Sequence, residues 1–240
     1  VSDCLRVEQK ASVWTLTLNR PQKRNALDED LVQALSAAVD QAHAEQADVL
    51  VFQGQGTNLC AGFDFTGFDQ MSHGDLLLRF VRIEQLLQKI DASPALTVCL
   101  AHGKNFGAGV DLLAACKHRV ASAEASFRMP GLKFGLVLGT RRLAHLIGAA
   151  ATREVQQTAQ TLSAGQAHAL GLVSELAEMP SWPQVVDRQQ LAAQGLSPQA
   201  RATLYRVLRR SHDQADLAEL VDSAAVPGLK QRIANYRASQ

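Results

Sequence analysis

A mainly parallel α/β core carrying a helical C-terminal part is the fold class this sequence predicts, on three observations. Strand-like apolar runs alternate with helix-periodic segments up to about residue 135. From about residue 140 onward, helical segments dominate. The chain has 240 residues, 47% of them hydrophobic, which suffices for one large domain with an appended helical region.

In chain order, "SVWTLTLN" (12–19) alternates as a strand, and "RPQKRNA" (20–26) is a turn with a proline breaker. Residues 28–46 place apolar groups at 31, 32, 35, 38, 39 and 42, which is helix periodicity. "DVLVFQG" (48–54) predicts a short buried strand, and the loop "QGTNLCAGFDFTGF" follows it. "DLLLRFVRIEQLLQKID" (75–91) predicts an amphipathic helix, and Pro94 precedes the strand "ALTVCLAHG". "GVDLLAAC" predicts a buried helix starting at glycines, with "KHRVAS" a short strand after it. Further on, Ser163 and Gln166 form a capping-box pattern with Gly171 as the stop, and Ser197 with Pro198 opens another helix. The expected organisation is a core over residues 1–175 and a helical region over 176–240, with no flexible linker and no clean internal repeat.

Charge and composition narrow the function. The net charge is +1, from 24 basic and 23 acidic residues spread along the chain, so neither nucleic acid nor an anionic membrane is an expected partner. The longest apolar runs are far short of a membrane span, and the N-terminal stretch has no signal-peptide pattern. Cys4, Cys60, Cys99 and Cys116 lie in or beside apolar runs without C-x-x-C spacing, which predicts reduced thiols in a cytoplasmic protein. The seven histidines show no zinc-ligand spacing, so no metal is expected. There is no G-x-S-x-G elbow, and "GQGTNLCAG" has neither phosphate-loop spacing.

Two loops share a physical theme. "LCAGFDF" (59–65) brings backbone close to a neighbour through Gly62 and leaves the Phe63 N–H available. "GAGVD" (107–111) puts free N–H groups at a helix start, where the dipole favours negative charge. Two such donors converging on one point would stabilise charge developing on a carbonyl oxygen. On the residues alone, these glycines serve equally well as ordinary turn and helix-start residues.

In order and at similar spacing, "LTLNRPQKRNAL", "DVLVFQGQGTNLCAGFDF", "HGKNFGAGVDLLAACKHRVASAEASFRMPGLKFGL", "TRRLAHLIG" and "LSAGQAHALGLVSE" cover about three quarters of the chain. Together they identify it as resembling the crotonase superfamily, the enoyl-CoA hydratase/isomerase group. The resemblance implies a spiral of β-β-α turns with C-terminal helices that build a homotrimer or a dimer of trimers. It implies an acyl-CoA thioester as substrate, no permanently bound cofactor, and a thioester enolate held by two backbone amides. Matched by position, those amides belong to Phe63 and Ala108, the latter often Gly in the family.

Asp111 falls where the hydratases carry a catalytic Glu, three residues after the helix-start amide. A carboxylate there would move a substrate proton or activate a water. The second hydratase acid is absent: "FRMPG" places Gly131 where the family commonly has Glu, and the next loop is shortened to "GLVLGT" (135–140). Efficient standard hydration is therefore not expected. Hydration, double-bond shift, decarboxylation and thioester hydrolysis stay open as branches, and the alternative is a non-catalytic acyl-CoA-binding or assembly subunit. Lys23 and Arg24 match positions near the CoA phosphates, with the backbone at Ala61 and Phe63 facing adenine and thioester. Lys230 and Arg237 are weaker matches to residues that reach a neighbour's CoA. Asp69, His73 and Asp75, in a segment that borders the acyl pocket in the family, and Arg128, just before the missing-acid site, could compensate but read as solvated surface groups, and Asp64 reads as a local backbone cap.

Overall fold

The computed structural model describes residues 3–210 and 212–239. Two antiparallel strands, β1 (Leu5–Lys10) and β2 (Val13–Leu18), lead to helix α1 (Glu29–Ala44). Strand β3 (Val49–Gly54), helix α2 (His73–Asp91) and strand β4 (Leu96–Ala101) come next. They are followed by β5 (Lys104–Phe106), α3 (Ala108–Ala114), β6 (His118–Ala121) and β7 (Ser126–Arg128). Helices α4 (Thr140–Ile147) and α5 (Ala149–Thr158), strand β8 (Thr161–Ser163), helix α6 (Ala164–Leu170) and strand β9 (Glu175–Leu176) close the mixed part. Helices α7 (Trp182–Gln194), α8 (Pro198–Leu208), α9 (Asp213–Ala225) and α10 (Leu229–Ala238) complete the chain.

One sheet has the order β1-β2-β3-β4-β6-β9, with every pairing from β2 onward parallel. A second, smaller sheet has the order β5-β7-β8. The chain passes from a strand of the large sheet to one of the small sheet and then to a helix, as β4-β5-α3 and again as β6-β7-α4. These are the β-β-α turns of a spiral, and they share no legible sequence repeat.

Burial on both faces explains why the central strands read as continuous apolar runs. All six residues of β4 are buried. In β3, Val49 and Val51 join a cluster with Val98, Leu100, Trp182 and Val185, while Leu50 and Phe52 face the larger cluster that includes Leu35 of α1 and Leu87 of α2. One strand thus serves two cores by simple alternation of its side chains.

The helix caps follow the sequence. Ser163 and Gln166 form the reciprocal capping box, Gly171 ends α6 in the left-handed region, and the Ser197 hydroxyl accepts from the Ala200 N–H at 3.2 Å. A further capping box, Ser72 with Asp75, starts α2 two residues before the predicted boundary. Strand β1 has no sequence signal because it is an edge strand with only Leu5 buried, its charged residues turned outward. The other unpredicted strands, β5, β7, β8 and β9, are two or three residues long.

Candidate active site

The Leu27–Phe63 bridge decides which way one key amide points. It is a parallel pairing in which Leu27 N–H donates to the Gly62 carbonyl at 2.7 Å and Asp64 N–H donates to the Leu27 carbonyl at 3.0 Å. The pairing therefore uses the groups of residues 62 and 64 and turns Phe63's own N–H to the opposite side. The start of α3 packs closely against this loop. A Cβ built on Gly62 would lie 3.4 Å from the Ala108 nitrogen and 2.4 Å from the Phe106 carbonyl oxygen, so only glycine, here at φ +88°, lets the two loops approach this closely. Neither the Phe63 nor the Ala108 N–H donates to a protein acceptor among the described residues. Ala108 is the first residue of α3, where an N–H has no intrahelical partner.

The Phe63 ring fixes its own backbone. It stacks on Phe80 with centroids 4.4 Å apart and meets Phe65 edge-on at 5.0 Å. The Arg79 guanidinium lies 4.3 Å above the same ring and donates to the Asp64 carbonyl at 2.9 Å. Asp64 accepts from the Thr66 N–H and from Arg20, both at 2.9 Å, so it is tied into the loop as a cap and ion-pair partner.

Asp111, on the first turn of α3, is 2% exposed, and its Oδ1 has no hydrogen-bond partner. Burial pushes its carboxyl well above the ordinary carboxylate range, the nearby Arg142 charge opposes this, and Glu84 adds to it. Gly139, at φ +63°, packs directly on the carboxylate: a Cβ there would sit 2.0 Å from Oδ1. The start of α4 thus holds Asp111 in place because residue 139 has no side chain.

A cavity of about 750 Å³ gathers Phe63, Ala108, Asp111, Gly131 and Arg128 into one space with Lys23, Arg24 and Ala61. Lys23 and Arg24 are exposed at its edge, in and just after a tight 3-10 turn at Pro21–Lys23. The Ala61 N–H is already donated to the Arg24 carbonyl at 3.0 Å, so only the Ala61 carbonyl remains to meet a ligand.

A family profile described as enoyl-CoA hydratase/isomerase matches residues 8–227. The chain belongs to that family. It is 34% identical over 188 residues to the "Probable enoyl-CoA hydratase echA6" of Mycobacterium tuberculosis, covering 76% of this chain and 75% of that one. It is also 31% identical to the human "Enoyl-CoA hydratase domain-containing protein 2, mitochondrial", over 90% of this chain and 76% of the relative. A candidate enoyl-CoA hydratase/isomerase solved from Bordetella parapertussis superposes with a TM-score of 0.97 at 54% identity, covering 99% of both chains. An enoyl-CoA hydratase structure from Bacillus halodurans shares the fold at a TM-score of 0.86 and 21% identity.

Within this family's site, Gly131 opens a 3-10 turn on the cavity wall and brings no carboxylate. A Cβ there would meet only the Leu136 carbonyl oxygen, at 3.1 Å. The residues of α10 were legible only as distant basic matches, yet α10 lies over this chain's own site. Tyr236 and Arg237 line the cavity, and Arg237 sits 5.4 Å above the Phe68 ring. Lys230 donates to the Asp69 carbonyl at 3.1 Å, so both basic residues lie beside the chain's own cavity. Asp75 is occupied as a helix cap, and neither it nor His73 lines the cavity. Sequence reading missed Arg79, Tyr236 and the buried Glu84–Arg142 pair, whose N–O distance is 2.8 Å. A polar residue at 84 looks from sequence like part of the solvent face of an amphipathic helix.

Cys60, Cys99 and Cys116 are buried free thiols. Among the described residues no helix is long and apolar enough to cross a membrane.

Proposed function

We propose that this protein acts on an acyl-CoA thioester through an enolate whose oxygen is held by the Phe63 and Ala108 amides. The observation that carries this reading is the pair of undonated N–H groups on two loops that approach closely at Gly62 and line a cavity that also contains Asp111. Preorganised donors of this kind stabilise charge as it develops on the carbonyl oxygen. Asp111 moves the α-proton. A carboxyl kept protonated by burial is also a stronger base once ionised, which narrows the gap to a weakly acidic C–H. The deciding experiment is α-hydrogen exchange. An acyl-CoA incubated with the protein in D2O is expected to gain α-deuterium, and failure of any of a series of acyl-CoAs to do so would leave binding alone.

The CoA phosphates would meet Lys23 and Arg24, with Arg237 facing them from α10 and the Ala61 carbonyl free to accept from the adenine amino group. Acetyl-CoA affinity is expected to fall about tenfold in the Lys23→Ala, Arg24→Asn double variant, since both side chains are exposed and a solvent-screened ion pair contributes roughly 0.2–1 kcal/mol. Asn is chosen because residue 24 has φ +51°, which Asn tolerates. Calorimetry at two salt concentrations checks this: the wild type should weaken with salt and the variant much less.

Gly131 favours a second reading, an acyl-CoA-binding or assembly subunit without turnover, because standard hydration uses two carboxylates. The wild type is expected to hydrate crotonyl-CoA slowly. Gly131→Glu should raise that rate at least tenfold, given that a general acid or base contributes about 10²–10⁴-fold. The close contact at 3.1 Å requires only a small shift of the Leu136 carbonyl. An unchanged rate in a folded variant would show that the missing acid is not what limits hydration.

We further propose that residues 1–175 build the site, that α10 from the 176–240 region covers it, and that the chain works in the cytoplasm as a homotrimer or dimer of trimers. The exposed Leu191, Leu204, Val207 and Leu208 of α7 and α8 support self-association, which covers such side chains.

A further inference from the structure

Behind Asp111 lies a buried polar seam for which the reaction described above has no use. Glu84 of α2 and Arg142 of α4 pair through Glu84 Oε1 and Arg142 Nη2 at 2.8 Å, with side chains 1% and 9% exposed. Each has a second polar atom, Glu84 Oε2 and Arg142 Nη1, that is buried without a partner. The same is true of Asp111 Oδ1 and Thr140 Oγ1. Among the described residues eight buried side-chain atoms are unpartnered, and four of them belong to this one junction of α2, α3 and α4. The contact of Gly139 with Asp111 Oδ1 places the start of α4 directly on the carboxylate.

Leaving buried polar atoms unmet is costly, and a site offering several of them together is one where water binds. The seam also has two ends. Asp111 lines the acyl-CoA cavity, whereas Arg142 lines a second cavity of about 410 Å³ that also contains Lys117, His145 and Asp216.

We propose that Asp111 Oδ1, Thr140 Oγ1, Glu84 Oε2 and Arg142 Nη1 together hold bound water, and that this water carries protons between Asp111 and the second cavity, behind the thioester. This inference rests on the acyl-CoA reading. A bound CoA would cover the front of the site, so a proton taken from substrate needs another way out. The proton on Asp111 Oδ1 passes to a water oxygen, and a different proton of that water moves on, past the Glu84–Arg142 pair, to solvent water in the second cavity. Asp111 is left ionised opposite Arg142, and no bond to carbon changes. Glu84, Arg142 and Thr140 are thus positioning residues. The charged groups facing Asp111 are Arg142 and Glu84, and Arg142 also feels Asp91.

The test reads Asp111 itself by infrared difference spectroscopy, with Asp111→Asn identifying its carbonyl band. In wild type saturated with acetyl-CoA, hydrogen–deuterium exchange of the Asp111 carboxyl is expected to proceed at a rate close to that of the unliganded protein. In Thr140→Val with acetyl-CoA bound, it should slow at least tenfold at unchanged acetyl-CoA affinity. In Glu84→Gln the apparent acid constant of Asp111 should rise about tenfold or more, because a like charge is lost and Arg142 is released toward it; Glu84→Asp should restore it. A purely structural role would move thermal stability and neither spectroscopic readout. Exchange blocked by acetyl-CoA in wild type, or unaltered in Thr140→Val, would overturn the proposal. Should acetyl-CoA not bind at all, the functional reading fails, and the Glu84→Gln titration in unliganded protein still decides whether the seam governs Asp111.

Discussion

Asp111→Asn is expected to reduce α-hydrogen exchange by about 10²–10⁴-fold, the usual contribution of a positioned acid or base, while making the protein more stable at neutral pH. The two effects have one cause. Asp111 is buried at 2% exposure with Oδ1 unpartnered, and burial raises its carboxyl well above its unfolded value. The sign follows from linkage. A group whose folded pKa is raised contributes stability that is fully present below its unfolded value, near 3.8, and lost as pH rises through the folded value. Asn keeps the shape and has no proton to lose, so the variant's advantage in Tm should be absent below about pH 4 and grow with pH. Each kcal/mol should appear as about 2–4 °C in a chain of this length. Wild-type exchange should also rise with pH well beyond the range in which an ordinary aspartate is already fully ionised. Thermal melts and exchange rates across pH check both halves, and a variant less stable than wild type at pH 8 would contradict the burial argument.

Gly62→Ala is expected to lower the same exchange by about 10²–10³-fold, the loss typical of removing one oxyanion donor. The added methyl would sit 2.4 Å from the Phe106 carbonyl oxygen, and φ +88° is strained for any residue with a Cβ. Relief comes only by moving the 59–65 loop away from the start of α3, which separates the Phe63 and Ala108 amides. In the proposed complex the CoA phosphates meet Lys23 and Arg24 rather than residue 62, so acetyl-CoA affinity should change much less than turnover. A variant that folds, binds and still exchanges at the wild-type rate would show that the paired amides do not hold the reacting oxygen.

What was legible in the sequence follows the physics of each feature. The central strands and helices α1 to α3 declared themselves because burial on one or two faces imposes a period on side chains. Strand β1 did not, since five of its six residues are exposed. The two amides lie in the main chain, and side-chain patterns do not record where an N–H points; only the glycines and the family resemblance marked the places. Arg141 and Arg142 show the limit most clearly. They are adjacent and chemically identical, yet Arg141 is partly exposed and reaches Asp216 at 2.6 Å, while Arg142 is buried against Glu84. Only the packing of α2 against α3 and α4 separates them. Tyr236 was likewise out of reach, because its place in the site depends on α10 folding back over residues 131–134.

The most direct measurement is the infrared carbonyl band of a 13C-labelled acyl-CoA thioester bound to the protein. Two amides polarising that oxygen should shift the band to lower frequency than in free acyl-CoA, and Gly62→Ala should return it most of the way. A bound thioester with the band of the free compound would contradict the account.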